Sequence, residues 1–172
     1  MDYTILAPIG SAVALLFALY LALKVKRAPE GNDLMKKISL AVRKGANAYL
    51  KRQYTGVIIF FAVMFIILLV LALLGYLTIF VPFAFLTGGF FSGLSGFIGM
   101  KIATAANART AHAAQNSLNS GLRISFSSGA VMGFVVVGLG LLDISIWYFL
   151  LKAVFSGLPE AEWRKLEEYF GL

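Results

Sequence analysis

No cysteine occurs among the 172 residues, which excludes a disulfide framework, a thiolate metal site and dithiol chemistry. Acid is nearly as scarce. There are eight Asp and Glu in all, and none lies between Leu34 and Leu142. Histidine occurs once, as His112, with no Cys or nearby acid to complete a metal site. It reads as a packed or solvated helix residue. No GxxxxGK[ST] stretch is present, so the phosphate-cradling loop of that type is excluded and the glycines need another explanation. Charged residues make up only 13% of the chain, about half the share usual in a soluble domain.

Hydrocarbon fills the space. The chain is 60% hydrophobic with a mean hydropathy of +0.86, more than a soluble core of this size can hide. Its apolar residues are gathered in four blocks, about 4–23, 57–77, 79–100 and 131–151. Each is near the ~20 residues that cross ~30 Å of hydrocarbon as a helix. The sequence therefore predicts an all-α, polytopic membrane protein with four transmembrane helices. Asp2 ahead of the first block, and lysines behind it, do not fit a cleavable signal, so that block is expected to be retained.

The formal net charge of +7 invites a nucleic-acid reading, but its distribution opposes one. Nine Lys and Arg lie from Lys24 to Arg52, and Lys101, Arg109 and Arg123 fall in the third connection, while the second has no charge. Basic residues in alternate loops follow the positive-inside rule. Segments 24–56 and 101–127 are thus expected to be cytoplasmic and both termini outside, with no nucleic-acid partner.

Between spans one and two, Pro29, Gly31 and Asn32 break the helix, and Asp33 is expected to cap the next. Over 34–52, Leu34, Ile38, Ala41, Val42 and Tyr49 alternate with Lys36, Lys37, Arg43, Lys44, Lys51 and Arg52 at helical spacing. This amphipathic helix is expected to lie on the headgroups before turning into span two, in preference to packing on a neighbour or drawing in an anionic substrate. Span two, almost pure Ile, Leu, Val and Phe, suggests a lipid face, and Gly75-Tyr76 and Pro82 mark the turn after it.

Small residues crowd span three. Gly89 and Gly93 form a GxxxG pair, Gly88, Ser92 and Gly96 a second row, and Gly129 with Gly133 a matching pair in span four. Such rows allow close helix crossings, here between spans three and four or with helices outside this sequence. Beyond Met100 the helix is expected to continue over 101–118 as a slim Ala, Asn, Thr and Gln surface. An isolated solvated helix would carry Glu–Lys pairs, so this extension looks built to be surrounded by protein.

Three segments, "ISLAVRKGANAYLKRQY" (38–54), "GFIGMKIATAANARTAHAA" (96–114) and "SGAVMGF" (128–134), resemble the N-terminal part of the membrane-bound, ion-pumping inorganic pyrophosphatases. Two positions depart from the family pattern: Lys44 stands where Glu is expected, and Ala105 where Arg is usual. The resemblance implies a parent of about sixteen spans, far longer than this chain at ~20 residues per span. It also implies a homodimer that uses Mg2+, hydrolyses pyrophosphate at the cytoplasmic face and moves protons or sodium ions outward. The first four spans would belong to the outer helix ring that supports the catalytic inner ring.

Pyrophosphate hydrolysis with magnesium needs many carboxylates at one site. Here Asp2, Glu30, Asp33, Asp143 and the four tail glutamates provide no plausible cytoplasmic cluster, so no catalytic, cofactor-binding or metal-ligating residue is assigned. Asp143, the one acid inside an apolar run, is expected near the outer interface with a polar partner, the alternative being an ion-path residue. The tail 159–170 reads as an outer amphipathic helix, and the end after Leu172 fits truncation. The leading expectation is the structural N-terminal portion of a pyrophosphate-energised pump, inactive alone and packed against the remaining helices and lipid. The alternative is a self-contained four-span assembly or transport subunit.

Overall fold

The computed structural model describes residues 3–155, so the expected tail helix at 159–170 lies outside the described residues. A short 3-10 turn, Tyr3–Ile5, leads into α1 (Leu6–Arg27), followed by α2 (Asp33–Leu73), α3 (Phe80–Asn116) and α4 (Leu118–Phe155). Among the described residues there is no strand, and all four helices are long and apolar enough to cross a membrane.

Their lengths differ in an informative way. At ~1.5 Å per residue, the 22 residues of α1 span about 33 Å, close to the hydrocarbon thickness. The 41, 37 and 38 residues of α2, α3 and α4 reach about 55–62 Å, nearly twice that thickness. Apolar residues fill the second halves of α2 and α4 and the first half of α3. All three surplus lengths therefore project from one end of the bundle, the end that carries Lys24 to Arg52, Lys101 and Arg109. This is the basic end.

Lateral order is α1–α4–α3–α2, with α3 packed along α4, α4 along α1, and α2 against α3. The core is thin and centred on α4: Val131, Val135 and Leu139 meet Ala18, Leu21 and Val25 of α1 and Ile102 and Ala106 of α3. Close crossings are made at glycines. A Cβ on Gly138 would come within 2.8 Å of Leu15, one on Gly99 within 2.7 Å of Met132, and one on Gly89 within 2.0 Å of Phe61. Ser11 Oγ donates to the Gly138 carbonyl at 2.7 Å, and the Tyr54 hydroxyl donates to the Gly93 carbonyl, so polar contacts join the same seams.

Several expectations change. Gly129 and Gly133 have nothing within 4 Å of a would-be Cβ, so this pair does not form the α3–α4 seam. Asn32, in place of Asp33, caps α2, its side-chain oxygen accepting from Met35 N–H at 2.9 Å. Asp33 instead sits in the first turn and pairs with Lys36 at 3.0 Å. No bend separates 34–52 from the span, because α2 is one unbroken helix through Gly45 and Gly56. It stands along the bundle and does not lie across the headgroups. The face it turns inward carries Met35, Ser39, Arg43 and Leu50, while Leu34, Ile38 and Tyr49 are more than half exposed.

At the far side of the basic end, α3 stops where Ser117 adopts an extended backbone, φ −162° and ψ 145°. Ser117 then starts α4 by accepting from Ser120 N–H at 3.1 Å. Two long helices thus reverse over a single residue. Gly121 makes this possible, since a Cβ there would lie 2.9 Å from that of Ala114.

Candidate functional site

The densest polar arrangement is a three-way clamp at the basic end, where the α1–α2 turn meets α3. Pro29 holds Ala28 in an extended conformation, φ −67° and ψ 142°, and so stops α1. Gly31 then reverses the chain with φ +86°, a region that strains residues carrying a Cβ. A Cβ there would also clash with the Met35 sulfur and meet His112 Cβ and Cγ at 3.1 and 3.2 Å.

This turn aims Glu30 between two cationic helices. Its Oε1 receives Arg43 Nη2 of α2 at 2.6 Å and Arg109 Nη1 of α3 at 2.9 Å. Arg109 is only 11% exposed, and its other nitrogens serve the backbone. Nε donates to the Ala28 carbonyl at 2.9 Å, Nη2 to the Lys26 carbonyl at 3.2 Å, and Nη1 also to the Ala105 carbonyl. The terminal carbonyls of an α-helix lack intrahelical donors and carry partial negative charge, so one guanidinium both caps α1 and neutralises Glu30.

The hydrogen bond from Arg43 holds the Glu30 carboxyl below the usual carboxylate range; burial pushes it upward less strongly than that bond, and the Arg109 and Arg43 charges add to the lowering. Glu30 is therefore an ionised structural acid. It is in no position to act as a proton donor near neutral pH. Around it, Arg43 Nε, His112 Nδ1 and Ser39 Oγ are buried without a hydrogen-bond partner among the described residues.

The other two acids among the described residues, Asp33 and Asp143, lie apart from this clamp. Asp33 is fully exposed and paired with Lys36. Asp143 lies in the α3–α4 seam with Oδ2 at 3.5 Å from the Cβ position of Gly88, and its buried Oδ1 has no partner among the described residues. No hydrogen bond to the expected polar partner is found among the described residues. Its neighbours satisfy each other instead, Trp147 Nε1 donating to Thr87 Oγ1 at 2.7 Å. No group of three metal-ligating side chains occurs among the described residues. Magnesium needs several oxygen ligands in octahedral array, and a carboxylate claimed by two arginines does not fit that demand.

The Glu30–Arg43–Arg109 clamp was not assigned from the sequence, where Glu30 and Arg109 are 79 positions apart and Arg109 has no acid in its own segment. The two departures lie beside it. Ala105 offers only its carbonyl to Arg109, and Lys44 follows Arg43 on the exposed side of α2.

A second feature of this end is a shallow hollow of about 490 Å³ between α3 and α4, bordered by Ala103, Asn107, Ala111, Ala114, Ser125 and Gly129. Its walls are small and mixed in polarity, and it leads onto the open Gly133 face.

Residues 12–171 match the family model described as inorganic H+ pyrophosphatase. A putative K(+)-stimulated pyrophosphate-energized sodium pump of Bacteroides thetaiotaomicron is 59% identical over 150 residues, which are 87% of this chain and 20% of that protein. A K(+)-insensitive pyrophosphate-energized proton pump of Moorella thermoacetica is 41% identical over 149 residues, 87% of this chain and 21% of its own length. A putative sodium pump of the same kind from Clostridium tetani is 38% identical over 149 residues, with the same coverage. The chain thus spans about a fifth of the length of these relatives, their N-terminal part. With four bilayer-length helices and a match over nearly its whole extent, the chain is an integral membrane protein that belongs to the inorganic H+ pyrophosphatase family.

Proposed function

We propose that the chain forms the N-terminal, outer-ring structural portion of a pyrophosphate-energised proton or sodium pump. The observation that carries this reading is the 59% identity over 150 residues that amount to only 20% of the relative. In this reading the chain contributes scaffold, and magnesium and pyrophosphate are bound by helices corresponding to the other four-fifths. The clamp then has a mechanical role. It fixes α1, α2 and α3 relative to one another at the basic end, the face at which the family resemblance implies pyrophosphate hydrolysis.

Surfaces left open by the fold support such neighbours. Gly129, Gly133 and the hollow beside Asn107 offer a narrow helix face with no partner among the described residues. Leu34, Ile38 and Tyr49 offer an apolar stripe on the projecting half of α2. The remaining helices of the pump, and a second copy in a homodimer, are the proposed occupants. The basic end is proposed to be cytoplasmic, with both termini outside, on the distribution of Lys and Arg.

A split pump tests the assignment. Residues 1–172 alone, with magnesium and pyrophosphate, are expected to release no phosphate above background. Co-expressed with the remaining four-fifths of the Bacteroides thetaiotaomicron relative, they should restore pyrophosphate-driven sodium uptake into membrane vesicles. Restoration by that relative's own N-terminal fifth, but not by this chain, would refute the proposal. It would favour a self-contained four-span protein.

A further inference from the structure

A groove of about 600 Å³ follows the α2–α3 seam within the apolar belt. Phe61 and Phe65 of α2 form one wall, Leu86, Phe90 and Phe97 of α3 the other, and Gly89 and Gly93 lie along it. Its lining is almost wholly apolar. From Leu86 to Phe97 it runs about 16 Å at ~1.5 Å per residue, or half of the ~30 Å hydrocarbon core. The depth is that of one leaflet.

The basic end of this groove has a different character. A second hollow on α2, bordered by Arg52, Gln53 and Gly56, shares Val57 and Phe61 with the groove and so continues it toward the headgroups. Nothing lies within 4 Å of a would-be Cβ on Gly56, which leaves the backbone bare between the basic and apolar parts. On the α3 side, Lys101 stands 5.2 Å from the centre of the Phe97 ring and donates to Asn47 Oδ1 at 2.6 Å. Neither Arg52 nor Lys101 forms an ion pair among the described residues, and the sequence holds no acid from Leu34 to Leu142. The mouth is cationic and uncompensated.

We propose that this seam is a binding site for one anionic glycerophospholipid. An acyl chain fills the groove between Phe61 and Phe90, and the phosphate is held at its basic end by Arg52 of α2, with Lys101 of α3 adding positive charge beside Phe97. The groove of about 600 Å³ along about 16 Å is long, narrow and apolar, a slot that takes a single hydrocarbon chain lengthwise. Charge favours an anionic headgroup, because a zwitterionic one leaves the mouth cations uncompensated. The site is independent of the pump assignment and needs only that the basic end lie at headgroup level.

Two measurements test it on the full chain. Purified in dodecyl maltoside, the protein should gain several degrees of thermal stability with phosphatidylglycerol and none with phosphatidylcholine. The double variant Arg52→Gln/Lys101→Gln, and the groove-filling Ala62→Trp, should keep their basal melting temperature and lose that shift. Equal shifts with both lipids, or no shift with either, would overturn the proposal. Independently, photoreactive benzoylphenylalanine at the exposed position of Phe90 should give a phospholipid mass adduct in native membranes. A polypeptide adduct in its place would show that a protein segment occupies the groove, and would overturn it equally.

Discussion

Removing the Arg109 side chain isolates what the clamp contributes. Arg109→Ala deletes one ion-pair contact and three bonds to main-chain carbonyls, two of them on the turn that ends α1. A hydrogen bond to a charged group contributes ~1.5–3 kcal/mol when buried. The four contacts share a single guanidinium, and water can reach some of the freed carbonyls, so their values do not add. Glu30 keeps Arg43, so the variant does not strand a lone buried charge. These opposing effects place the loss at about 3 kcal/mol, the upper end of the range for a single hydrogen bond to a charged group. Arg109→Lys should recover about 1 kcal/mol, because an ammonium retains the charge but cannot span the Ala28 and Lys26 carbonyls as the planar fork does. Lys36→Ala is the control: that pair is exposed on both sides, and its loss should cost less than ~0.5 kcal/mol. Graded SDS unfolding in mixed micelles, followed by far-UV circular dichroism and tryptophan fluorescence, ranks the three. Arg109→Ala no more destabilised than Lys36→Ala would refute the clamp as a fastening of α1 to α3.

Glu30 gives a pH signature. Because its folded pKa is depressed below the ordinary 4.5, its stabilisation is full above that value and is lost as pH falls through the lower folded one. Wild type should exceed Glu30→Gln at about pH 7 and converge with it as pH falls below the ordinary carboxylate value and through the lower folded one, so a gap in SDS midpoints that stays constant on acidification would contradict the assignment. Among the glycines, Gly138→Leu should cost about 2 kcal/mol or more by driving α1 from α4, since Leu15 already stands within 2.8 Å of the Cβ position. Gly133→Leu meets open space and should stay within ~0.5 kcal/mol in the isolated chain, yet impair sodium uptake by the split pump. A double-mutant cycle on Trp147→Phe and Thr87→Val should give a coupling of about 0.6–1.7 kcal/mol for their bond, and zero coupling would mean the bond is not made in the bilayer.

The spans were legible because the bilayer leaves the backbone little choice. In hydrocarbon every N–H and C=O must be satisfied within its own segment, so an apolar block near 20 residues long reads directly as a helix. Helix ends were less legible, since they depend on single side chains. Asn32 and Asp33 are both good caps, and only the backbone angles at Asn32, φ −75° and ψ 173°, decide between them. The reversal at Ser117 carried no proline or glycine at the break itself. Gly121 was visible in the sequence, but its contact with Ala114 belongs to the hairpin and not to either helix alone. Facing was the least legible property. Periodicity places Leu34, Ile38 and Tyr49 on one stripe of α2, yet that stripe points outward, because Arg43 is drawn inward by Glu30 and carries Ser39 and Met35 with it.

The clamp was illegible for a related reason. Arg109 sits among Ala, Asn and Thr on a helix with no acid in the same segment, and local spacing gives it no partner. Its partner comes from a five-residue turn that becomes a neighbour only after α1, α4 and α3 have packed. What the sequence did contain was an imbalance: Glu30 and Asp33 were the only two acids among nine cations. A lone carboxylate in such surroundings gathers guanidinium groups from whichever helices pass within reach, because each added cation further favours its ionised form. Of the two acids, Glu30 is the one fixed between Pro29 and Gly31, where the turn points it into the bundle. Asp33 lies beyond the cap and meets only its own helix. Turn geometry, more than charge, therefore selected which acid joins three helices and which remains a surface ion pair.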